Sequence, residues 1–80
     1  MIAILAGSVR QASIYLDHIP PEQRRNYRII SERNYLIGTQ WDGFITAGTW
    51  WTQPEEVLEE WELQRLIWER RINPSPVRHV

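Results

Sequence analysis

Residues 43–57 read GFITAGTWWTQPEEV, and the fold turns on how this stretch is divided. Phe44 to Ala47 is an apolar run interrupted by one threonine, long enough for a strand buried on both faces and too short for a helix. Gly48 ends it. Thr52 and Glu55 stand at capping-box spacing, with Pro54 tolerated in the first helical turn. A helix is therefore expected from about Gln53 to Ile72. A strand that turns at once into a long helix is the repeating half of an α/β fold.

The same pattern recurs upstream. Ile2 to Ala6 is a continuous apolar run bounded by Gly7, as in a parallel strand covered on both faces. Ser8 is placed to cap a helix reaching about His18, with Val9, Ala12, Leu16 and Ile19 on one side. Pro20 and Pro21 end that helix. Tyr27, Ile29 and Ile30 form a short strand ending at Ser31, which caps a brief helical turn through Tyr35 and Leu36 closed by Gly38. Trp41, Asp42 and Gly43 turn the chain into the third strand.

This order is βαβαβα. It predicts a single α/β domain over residues 1–72, half of a doubly wound Rossmann-like fold with a long C-terminal helix. Its sheet has three parallel strands with the first in the centre, and right-handed crossovers put helices on both faces. Residues 73–80, NPSPVRHV, carry two prolines and read as a tail.

A chain of 80 residues holds one domain and buries about 60 to 65 % of its unfolded surface, so its stability needs supplementing. There is no cysteine, hence neither disulfide nor thiolate metal site, and His18 and His79 are too far apart in sequence to suggest a ligand pair. No metal or cofactor is expected. Oligomerisation is the remaining supplement.

The net charge of −1 gives no general attraction to nucleic acid or to anionic membranes. Residues 1–40 carry five Arg against three acids, and residues 41–80 carry four Arg against seven acids. Every basic residue is arginine, which a GC-rich coding bias explains without invoking anion recognition. The segment MIAILAG is too short to span a membrane and lacks a signal peptide's basic leader. A cytoplasmic location is expected.

At about 100° per residue, Val57, Leu58, Trp61, Trp68 and Ile72 share the stripe of the long helix assigned to the sheet. Leu63, Leu66 and Ile67 gather on roughly the opposite side, among glutamates. A second apolar stripe is covered either by the tail or by another copy of the chain. A homodimer is the favoured reading, with Leu63, Leu66, Ile67 and Arg70 as its candidate interface. Within the helix, Glu62 with Arg65, and Glu69 with a neighbouring arginine, are worth only a few tenths of a kcal/mol.

Open α/β sheets bind ligands at the carboxyl ends of their strands. Here those ends supply Gly7, Ser8, Ser31, Gly48, Thr49, Trp50 and Trp51 as candidate ligand-binding residues. Helix starts nearby favour an anion, with nucleotide as one possibility. AGSVRQ (6–11) has one glycine where a dinucleotide fingerprint needs three, and no phosphate-loop lysine exists. Adjacent indoles at Trp50 and Trp51 cannot both enter one core: the simpler arrangement has one capping the sheet end and the other packed under the long helix or in a dimer contact, and the alternative has one stacked on a base or sugar. Asp42 precedes the third strand and therefore lies at the opposite end of the sheet. Ser8, Ser31 and Thr49 lack a histidine base, so no catalytic residue is assigned, and Glu55 is simply the third residue of the capping box. Arg24, Arg25, Arg28 and Arg33, interleaved with Tyr27 and Tyr35, form a further candidate patch for single-stranded nucleic acid, against which the net charge counts.

Two resemblances follow from these motifs. The glycine-threonine pair followed by an acidic helix is similar to nucleoside deoxyribosyltransferase-like folds, in which a helix-borne glutamate is the nucleophile, although the glutamate spacing differs and this chain is shorter. AILAGS followed by VRQASIYLDHI, the middle segment YRIIS…YLIG and the FITAGTWWTQPEEV corner together resemble small accessory proteins of actinobacterial phages over residues 2–67. That resemblance implies a Rossmann-like fold in a phage accessory protein of unassigned function. The function expected of the chain is that of a non-enzymatic accessory or interaction protein, with a host protein among the possible partners.

Overall fold

In the computed structural model, which describes residues 1–72, strands β1 (Ile2–Ala6), β2 (Tyr27–Ile29) and β3 (Gly43–Ala47) form one parallel sheet in the order β2-β1-β3. The central strand is the one with the longest uninterrupted apolar run. Ala3, Ile4, Leu5 and Ala6 are all buried, because β1 has a strand on each edge and a layer on each face. Ile2 pairs with Tyr27 on one side and Gly43 on the other, so the strands start in step. The predicted fold class is thus the observed one. The proline-containing tail lies outside the described residues.

Alternation along β1 divides the core in two. Ala3 and Leu5 face helix α3 (Glu55–Ile72), in a cluster with Ile30, Leu36, Trp41, Val57 and Trp61. Ile4 and Ala6 face helix α1 (Val9–Leu16) and pack with Ala12. The β1-to-β2 connection runs over the α1 face; the β2-to-β3 connection, carrying Leu36 and Trp41, runs back over the other. Opposite directions on opposite faces give both crossovers the same hand, as twisted parallel sheets require.

Trp41, expected in a turn, is a core residue. It is fully enclosed and donates its indole Nε1–H to the Leu36 carbonyl at 3.0 Å. The turn conformation and the burial are compatible because the loop before β3 folds across the sheet. Phe44 joins it at a ring separation of 6.0 Å and meets Trp61 edge-on at 5.0 Å. Gly38 closes the preceding 3₁₀ turn (Arg33–Tyr35) with φ +83°, the left-handed conformation that favours glycine.

Several expectations are corrected. Ser31 caps nothing: the residue preceding the 3₁₀ turn is Glu32, with no side-chain cap bond. Helix α1 stops at Leu16, before His18, and Val9 is exposed rather than packed. Pro20 and Pro21 end one helix and begin another, α2 (Pro21–Arg24), since proline suits the first helical position. Ile72 is 58 % exposed. Helix α3, at 18 residues, is about 27 Å long; a strand of β3's length extends only about 17 Å, and the helix end overruns the sheet. Within α3, Arg65 bridges both Glu62 and Glu69, which raises its pKa further above the usual arginine range, the Glu62 hydrogen bond contributing most.

Candidate functional site

The order β2-β1-β3 places a topological switch point at the carboxyl ends of β1 and β3, where neighbouring connections leave toward opposite faces. Gly7 and Ser8 follow β1, and Gly48 and Thr49 follow β3. The structure brings these four residues together, and Gln11 is the residue that joins them.

The start of α1 explains how. Ser8 is its N-cap, extended in backbone conformation, and its hydroxyl accepts the Gln11 amide N–H. Gln11 thus sits at the third helical position, where a capping-box side chain turns back toward the strand. Its Oε1 accepts the Gly7 N–H at 2.8 Å and the Thr49 N–H at 3.0 Å. Its Nε2 donates to Thr49 Oγ1 at 3.1 Å. One side chain therefore satisfies the backbone donors just past two strands.

Close approach demands small residues around this carboxamide. A Cβ on Gly7 would stand 2.0 Å from Thr49 Oγ1 and 2.8 Å from the Thr49 carbonyl oxygen; one on Gly48 would stand 2.3 Å from Gln11 Oε1. Gly48 also has φ +57°. On the opposite side of the corner, Gln53 Nε2 donates to the last β1 carbonyl, that of Ala6, at 2.6 Å. The crevice where an α/β sheet would admit an anion is thus bridged by amide groups of the chain itself.

The capping box expected at Thr52 and Glu55 does not form. Thr52 lies in a 3₁₀ turn (Trp50–Thr52), and its hydroxyl donates back to the Thr49 carbonyl at 2.7 Å. Helix α3 starts at Glu55, two residues later than expected, with the Pro54 carbonyl accepting the N–H groups of Val57 and Leu58. The tight turn consumes the threonine locally, because the chain must reverse from β3 onto the α3 face within a few residues.

The same turn parts the indoles. Trp50 packs against the core beneath α3, whereas Trp51 is 60 % exposed, edge-on to its neighbour at 6.0 Å. Ser31 is not in the Gln11 corner. It lines a groove of about 250 Å³ with Glu32, Arg33, Asn34, Pro54 and Glu56. Glu55 and Glu56 occupy the first turn of α3 there and place negative charge where an incoming anion would need positive.

The arginine patch is divided. Arg24 donates to the carbonyls of Ile19 and Asp17, closing the end of α1, and Arg33 pairs with the buried Glu60 at 3.3 Å. Arg25 and Arg28 remain exposed. Asp42 lies at the amino end of β3, as expected, and binds the Met1 ammonium at 2.6 Å. That hydrogen bond, reinforced by the ammonium charge, lowers its pKa.

Among the described residues no group of three or more His, Asp or Glu is arranged to hold a metal, and no helix is long and apolar enough to cross a membrane. Leu63, Leu66 and Ile67 are 52 %, 42 % and 51 % exposed. Sequence reasoning missed Gln11, although Ser8-x-x-Gln11 has capping-box spacing. Comparisons with protein families, curated proteins and solved structures give no match, so the reading rests on these residues.

Proposed function

We propose that this chain is a non-enzymatic, phage-type accessory protein of the host cytoplasm that self-associates through the outer face of α3. The observation supporting self-association is the exposure of Leu63, Leu66 and Ile67 on one stripe of that helix. Covering such a stripe with a second copy is one way a small domain supplements its core. Sedimentation of the full chain at micromolar concentration tests the reading: a dimer that Leu66→Glu converts to a folded monomer supports it. A wild-type monomer throughout that range sinks it. A host protein is a further possible partner.

A second reading is a nucleotide or small-anion binder at the strand ends. It is supported by the convergence of the Gly7 and Thr49 N–H groups on one acceptor, Gln11 Oε1, since an anion's oxygen could replace the amide there. Trp50 and Trp51 adjoin the corner and report on it. If a panel of nucleotides changes neither tryptophan fluorescence nor melting temperature, that reading fails.

A further inference from the structure

At 100° per residue, Glu56, Glu59, Leu63, Leu66, Ile67 and Arg70 fall within about 100° of arc on α3. The stripe is acidic at its first end, apolar in the middle and basic at its last. The structure shows which charges are already engaged. Arg65 is held by Glu62 and Glu69, Arg71 donates to the Trp41 carbonyl, and Glu60 binds Arg33 and Gln64. Glu59 and Arg70 are exposed and have no ionic or hydrogen-bonding partner among the described residues. At the acidic end, Arg33, Glu56, Glu59, Glu60 and Leu63 line a groove of about 410 Å³.

Resting on the self-association proposed above, we infer that two copies pair with their α3 helices antiparallel, Leu63 against the partner's Leu66 and Arg70 in the partner's acidic groove beside Glu59. The register is set by arithmetic. In an antiparallel two-fold pair, facing residues have a constant sum; Leu63 with Leu66 and Glu59 with Arg70 share one sum, so a single alignment satisfies both. The symmetry produces each pair twice. A parallel pair in register instead sets Glu59 against Glu59 and Arg70 against Arg70, a like-charge arrangement that opposes association.

The chain has no cysteine, so a single Glu55→Cys substitution carries one spin label at the exposed first residue of α3. In the antiparallel register the two labelled positions lie about 28 Å apart along the axis, at 1.5 Å per residue. A parallel pair brings them within about 10 Å, the distance between packed helices. A dimer showing the short distance overturns the antiparallel arrangement and leaves self-association standing.

Charge exchange supplies the second readout. Glu59→Arg and Arg70→Glu each weaken the dimer by about tenfold, and the double variant returns to about the wild-type Kd. A dimer indifferent to both single changes overturns the assigned register. A full chain that is monomeric, and dimerises only after removal of residues 73–80, assigns the stripe to the tail and overturns both proposals.

Discussion

Two helix starts in this protein carry the same spacing, Ser8-x-x-Gln11 and Thr52-x-x-Glu55, and they behave differently. At α1 the serine caps the helix and the glutamine reaches across to β3's end. At α3 the threonine bonds backward into a 3₁₀ turn and the glutamate is simply the first helical residue. A capping motif records what a side chain is able to do locally. Whether it does so depends on where the preceding strand leaves the chain: β1 leads straight into its helix, while β3 must first reverse across the sheet end.

Substitutions at four positions break or sharpen this contrast. The largest effect is expected for Gly7→Ala, because the new methyl meets the Thr49 carbonyl as well as its side chain and backbone cannot yield as a side-chain tip does. A loss of about 3 kcal/mol or more is expected from such overpacking, read as a lower denaturation midpoint in urea. A midpoint unchanged from wild type would show that the corner is looser than described.

Gln11→Leu comes next. It keeps most of the volume and strands the Gly7 and Thr49 N–H groups, which solvent partly rescues because Thr49 is exposed; about 2 kcal/mol should be lost. Gln11→Glu retains an acceptor for both N–H groups near the start of α1 and should recover most of that loss. If leucine and glutamate perform alike, the bridging role of Oε1 is wrong.

Ser8→Ala removes a cap bond that is made, at a cost of about 1 kcal/mol. Thr52→Ala is the smallest: it removes one exposed hydroxyl contact and no helix cap, so about 0.5 kcal/mol or less is expected. The pair is best measured together by thermal unfolding, since only their ranking tests the contrast. Equal losses would mean that both helix starts depend on their hydroxyls.

The sequence was most legible where a segment's surroundings are uniform. β1 reads as an unbroken apolar run because both its faces are covered, and Gly38 reads as a helix stop because its left-handed backbone excludes most other residues. The stripe of Leu63, Leu66 and Ile67 was legible from helical periodicity. Legibility failed where two distant segments share one environment. Trp41 looks like part of a turn until the loop is seen crossing the sheet, and Ile72 belongs to the inner stripe by angle while lying past the end of the strands. The candidate site failed in the same way: Gly7, Gly48 and Thr49 were visible as strand ends, but the side chain bridging them comes from the helix between.

By itself, the sequence determined the order of the strands and of the helices α1 and α3, the parallel sheet and the amphipathic character of the last helix, because these follow from periodicity and from the backbone limits of glycine and proline. Only the tertiary structure decided which polar groups meet. Gln11 reaches Thr49 across 38 positions of sequence, and a hydrogen bond forms or fails over a few tenths of an ångström. Spacing along the chain does not encode that distance; the packing of β1 between its two neighbours does.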